Sequence, residues 1–95
     1  MKSKKRKINK DTGATNLCAR RVKIARVAKD MKQIDVAAAM NVDYGIDITQ
    51  NGVSYIERNR RFVKDFELVA LAEILDVSPL WLLFGDKVPS KFKTQ

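Results

Sequence analysis

Five short runs of apolar residues at three- and four-residue steps, each cut off by turn-forming residues after a few turns, constrain this chain more than any other feature. Such spacing builds helices and leaves no room for a sheet. Cys18, Val22, Ala25 and Ala28 set the first run, which starts at a capping Asn16 and continues to about Lys29. After a break at Asp30-Met31-Lys32 comes an alanine-rich stretch over residues 33–40, with Val36, Ala37 and Met40 on one stripe. Its small side chains allow a neighbouring helix to come close. Residues 41–48 are rich in turn-formers and are expected to connect, with Gly45 or Asn41 in the left-handed conformation that ends a helix.

Thr49 is a good N-cap for a third helix over residues 50–58. Only Val53 and Ile56 on it are suited to face inward, which leaves Gln50, Asn51, Ser54, Tyr55 and Arg58 outside. Asn59 suits the left-handed position after it, and Phe62 and Val63 anchor the next loop. The fourth helix starts near Asp65 and is apolar over more than half its circumference, so it is expected to be the most buried. Asp76-Val77 makes a turn, Ser78 caps a fifth helix with Pro79 at its first position, and Gly85 closes it.

Ninety-five residues suffice for a single core. The fold class expected is all-α: one compact five-helix domain over residues 16–86, between a disordered basic arm (1–15) and a basic tail (87–95) in which Val88 and Phe92 are expected to pack. The arm carries Lys2, Lys4, Lys5, Arg6, Lys7 and Lys10, and the whole chain has a formal charge of +8. That balance favours a polyanionic partner. With no histidine and one cysteine, Cys18, at an apolar helical position, the usual carriers of acid–base, nucleophilic and zinc chemistry are missing. No enzyme activity, cofactor or metal is expected. The longest apolar run, from Leu80 to Phe84, is far too short for a bilayer, and the basic start lacks the apolar stretch of a secretory signal, so a cytoplasmic location is expected.

Four pieces in order decide the class: Ala25-Arg26; Gln33 with Val36-Ala37; the stretch Thr49-Gln50-Asn51-Gly52-Val53-Ser54-Tyr55-Ile56-Glu57; and the closing run from Leu71 through Ser78-Pro79-Leu80-Trp81 to Leu83. Together they resemble the phage repressor and Cro family of helix-turn-helix transcriptional regulators, the XRE family, over residues 16–86. The resemblance implies sequence-specific binding of double-stranded DNA, with repression as the expected outcome and a homodimer as the working form. It places Gln50, Asn51 and Tyr55 at bases, where amides suit adenine. Gln33, Thr49, Arg58, Arg60 and Arg61 fall at phosphates, Arg26 and Glu57 form an ion pair behind the third helix, and Pro79, Leu80 and Trp81 lie at the dimer interface. Two departures stand out: the connection at residues 41–48 is longer than the family's tight turn, and Asn59 stands where the family usually has Gly. The competing reading is an antitoxin of the same fold that binds a protein partner, and the short basic flanks favour nucleic acid over it.

Overall fold

The computed structural model describes residues 14–93. They form α1 (Ala19–Ala28), α2 (Gln33–Tyr44), α3 (Gln50–Glu57), α4 (Asp65–Leu75), α5 (Pro79–Phe84) and a 3-10 turn, Ser90–Phe92. No strand occurs among the described residues, as the apolar spacing requires. The arm lies outside the described residues except for Ala14 and Thr15.

Helix ends explain most of the plan. α1, α3 and α4 each stop at a non-glycine residue with positive φ: Asp30, Asn59 and Asp76 respectively. Past each, an amide bonds back five residues, from Met31 to Arg26, from Arg60 to Tyr55 and from Val77 to Ala72. Asp and Asn tolerate this left-handed conformation better than other side chains, and the bond satisfies a carbonyl that the helix leaves open. At the end of α2 the same role falls to Gly45, with φ +65°. Ser78 caps α5 by accepting from the amides of Leu80 and Trp81, with Pro79 at the first helical position as expected.

Two boundaries differ from the sequence expectation. α1 begins after Cys18, because the Asn16 side chain is engaged by the far end of α3 instead of capping its own helix. α2 runs a full turn past Met40, so residues 41–44 are helix and the connection shrinks to the five residues from Gly45 to Thr49. Asn41 holds this arrangement: its Nδ2 donates to the Ala37 carbonyl one turn back and to the Ile48 carbonyl across the turn, both at 2.7 Å. Tyr44 ties the added turn to α4 through a 2.6 Å bond from its hydroxyl to Glu73.

Val22, Val36, Met40, Val53, Ile56, Leu71, Leu75 and Leu82 fill one core between α2, α3 and α4, with α1 and α5 closing it. Ile46 and Ile48, alternate residues of the extended turn, plug it from below. Of the consecutive alanines only Ala37 is buried, so close approach is confined to that position. α4 does bury the most residues, Leu71, Ala72 and Leu75 of its apolar pattern among them, but two members of that pattern turn outward. Phe66 and Val69 are 55% and 50% exposed, whereas Glu67 lies in the core. The reason is local: Glu67 caps the Lys64 amide at 3.0 Å and takes the Arg61 guanidinium on both oxygens, at 3.0 and 3.1 Å. A fully paired carboxylate can lie inside, and rotating it inward turns Phe66 out.

Burial pushes the Glu67 carboxyl up, but its bonds from Arg61 and from the Lys64 amide outweigh this and leave it below the usual glutamate range. A depressed carboxyl contributes stability that is present above its unfolded pKa and lost as pH falls through the folded one. Unfolding midpoints in urea should therefore fall as pH drops below about 4. The fall should be smaller in Glu67→Gln, which has no carboxyl to protonate there.

Gly52 has a different constraint. A Cβ there would sit 2.6 Å from Ile48 Cγ1, so the first turn of α3 rests directly on the turn beneath it. Gly52→Ala gains about 1 kcal/mol of helix propensity but overpacks a buried isoleucine, at a cost of roughly 1–3 kcal/mol. Net destabilisation is expected by urea denaturation, and a smaller effect of the same change in an Ile48→Ala background.

Candidate nucleic-acid interface

α3 is amphipathic in a simple way. Val53 and Ile56, three residues apart, are completely buried, and the remaining circumference carries polar groups. Thr49 begins the helix by accepting from the Gly52 amide at 3.1 Å. Gln50 and Asn51 follow in the first turn, both exposed, and Tyr55 lies one turn on at 44% exposure. The Arg58 guanidinium stands 5.0 Å from the Tyr55 ring centre, so the cation and the aromatic face form one unit on the helix surface. Amides, a phenol and an arginine thus share a solvent-facing surface with no buried role.

Behind this helix Arg26 and Glu57 meet in a bidentate pair, Nε to Oε2 at 2.6 Å and Nη2 to Oε1 at 3.1 Å. Their side chains are only 12% and 3% exposed. The third guanidinium nitrogen donates to the Met31 carbonyl just past the end of α1. Gln33, in the first turn of α2, donates its Nε2 to the same Glu57 carboxylate at 3.0 Å. One carboxylate therefore joins α1, α2 and α3. Gln33, expected at a phosphate, has its amide nitrogen engaged inside the protein.

The two arginines past α3 differ. Arg60 is exposed, whereas Arg61, also expected at a phosphate, has its terminal nitrogens on Glu67. Opposite them the chain enters the domain: the Asn59 side-chain oxygen accepts from the amides of Thr15 at 2.7 Å and Asn16 at 2.9 Å. At the other end of the molecule Pro79 and Leu80 are exposed and Trp81 packs partly on the core. Phe92, in the 3-10 turn, packs its ring against Phe84 at 5.8 Å between centres. Cys18 is buried, and burial pushes its thiol up to about 11, which keeps it protonated and unreactive.

Sequence reasoning missed three groups. Arg21 donates to the Leu17, Leu82 and Leu83 carbonyls and so caps the C-terminal end of α5 from α1. Gly85 lets it pass, since a Cβ there would meet Arg21 Nη1 at 3.2 Å. Asn16 acts likewise across the chain, to carbonyls 40 and 45 residues on, whereas the Glu67 partners are near in sequence: Arg61, and the Lys64 amide that a glutamate in the first turn of a helix can cap.

Breaking the Arg26–Glu57 pair by truncating one partner leaves a charge buried alone, so Glu57→Ala should cost on the order of 3–5 kcal/mol. Replacing both residues by apolar side chains of similar size should cost clearly less. Urea titrations of the two single variants and the double variant check this through the coupling energy.

Comparison with known families matches residues 22–82, from α1 into α5, to the family described as Helix-turn-helix. Neither the curated proteins nor the solved structures contain a match to this chain. Among the described residues no helix is long and apolar enough to cross a membrane. With most of its length matched, and with the polar third helix seated on the second, the chain belongs to the helix-turn-helix family in its phage repressor and Cro (XRE) form, a DNA-binding regulator of transcription.

Proposed function

We propose that the protein is a transcriptional repressor that binds a twofold-symmetric operator as a homodimer and reads the major groove with α3. The observation that carries this reading is the exposed row Gln50, Asn51 and Tyr55 on a helix whose other face is wholly buried. A helix about 10–12 Å across fits a groove about 12 Å wide. Amides in its first turn then lie where they can donate to and accept from one adenine edge.

Phosphate contacts fall on either side of that row. Thr49 and the amides at the start of α2 beside Gln33 face one strand, and Arg58 and Arg60 face the other. Arg61 acts through the loop that it holds to Glu67. The cations of residues 1–10 add phosphate contacts that strengthen binding without reading sequence. Dimerisation is assigned to Pro79 and Leu80, with Trp81 behind them, since both are exposed at the end of a short, rigidly capped helix.

Selection of bound duplexes from a random library is the direct test. A palindromic consensus with half-sites about one helical turn apart is expected, and a single asymmetric half-site bound by a monomer would count against the dimer. Repeating the selection with Gln50→Ala and Asn51→Ala should relax preference at one base position each, by about 1–3 kcal/mol. Arg60→Ala should instead weaken all sequences alike. Unchanged profiles for both amide variants would remove α3's first turn from base reading.

A further inference from the structure

The register of α3 gives its exposed face a centre, and two residues share it. At about 100° per residue, the direction opposite the midpoint of the buried Val53 and Ile56 falls within about 10° of both Asn51 and Arg58. Ser54 and Tyr55 flank that line, and Gln50 stands about a quarter-turn away from it. Arg58 follows the last residue of α3 but keeps its register, since the Arg58 amide donates to the Ser54 carbonyl at 3.0 Å. Its side chain is exposed, and no carboxylate takes it among the described residues, whereas glutamates hold Arg26 and Arg61. What it meets instead is the Tyr55 ring on the preceding turn, 5.0 Å from the guanidinium carbon. A planar cation resting on an aromatic face has given up part of its rotamer freedom before any ligand arrives.

We infer that Arg58 reads a guanine edge in the major groove, beyond its phosphate contact, and that Tyr55 is the positioning residue that aims its guanidinium. The inference rests on the reading of α3 as the helix that enters the groove. Phosphates line the walls of that groove, where any mobile cation finds them. A base edge lies at its floor and has to be approached from the centre of the helix face with a fixed geometry. Arg58 meets both conditions, the place through the register of α3 and the restraint through Tyr55. Guanine presents two acceptors, N7 and O6, which two N–H groups of a guanidinium match, and the other donors of the fork stay available to a phosphate. At about 1.5 Å of rise per residue, Arg58 lies roughly 10 Å along the helix axis from Asn51. That is about three base steps of about 3.4 Å. α3 therefore reads at both ends, with amides in its first turn and a guanidinium after its last.

The test takes the duplex selected by the unmodified protein, with its single-base variants, and compares Arg58→Lys, Tyr55→Leu, Tyr55→Phe and the Arg58→Lys/Tyr55→Leu pair by competition binding. Both side chains are exposed, so none of these changes touches the core. The selected half-site should contain a guanine about three positions from the base that Asn51 reads. Arg58→Lys keeps the charge but loses the planar fork, so discrimination at that guanine should fall roughly 5- to 150-fold. Tyr55→Leu should lower it about two- to fivefold at the same position. Tyr55→Phe, which keeps the ring, should restore it, and the pair should discriminate no worse than Arg58→Lys alone. Equal weakening of all duplexes by Arg58→Lys, or no guanine at that distance, would overturn base reading by Arg58. An effect of Tyr55→Leu at another base, or simple addition of the two losses in the pair, would overturn the positioning role. If Gln50→Ala and Asn51→Ala lose discrimination while Arg58→Lys does not, this inference alone falls. If none of the three changes its profile, α3 is not the reading helix and both readings fall together.

Discussion

Everything that presents α3 to solvent depends on the carboxylate of Glu57. It is almost fully buried, and three nitrogens from two other helices converge on it. A short helix has little propensity to hold itself, and two buried apolar residues give it depth but not rotation about its own axis. Glu57 supplies the rotation, because a bidentate pair has one geometry while hydrophobic contact tolerates many. The Arg26 side chain bound to it is in turn fastened to the Met31 carbonyl, so the end of α1, the start of α2 and the end of α3 form one polar joint.

A second joint on the other side of α3 has a similar logic. Arg61 and Glu67 pair in the core wall, and Glu67 at the same time caps α4, so the loop after α3 is held at Arg61 and at Lys64. Between the joints, Gly52 on Ile48 removes the slack at the start of α3. The exposed face of α3 is consequently held by constraints that lie behind it, and Gln50 and Asn51 on it are left free of structural duty.

Most of the architecture was legible in the residues: the five helices, the Thr49 and Ser78 caps, the left-handed Asn59, the buried Val53–Ile56 pair and the burial of Cys18 all follow from spacing and local turn chemistry. The extent of α2 was not. Asn41 looks like a terminator because its side chain competes with the backbone, but here the amide bonds to Ala37 and across to Ile48, and the helix continues to a residue that terminates it at no steric cost, Gly45. Glu67 and Phe66 were inverted for a related reason. Hydropathy assigns the phenylalanine to the core, and only the Arg61 partner six residues away makes the carboxylate the better interior group. In the candidate site, residue type and helical register identify the exposed row on α3. The alternative bonding of Gln33 and Arg61 depends on carboxylates brought in by folding.

The long-range polar anchors of α1, and of Asn16 just before it, all lie downstream. Arg26 waits for Glu57, 31 residues on; Asn16 waits for residues 56 to 61; Arg21 waits for carbonyls 61 and 62 residues away in α5. α2 and α3, by contrast, meet across a turn of five residues. Loop closure grows costlier with separation, so α2 and α3 close their turn at a smaller entropic cost than α1 meets in closing onto α3 and α5. Pairing of α2 with α3 before α1 is fastened is the folding order that this difference favours.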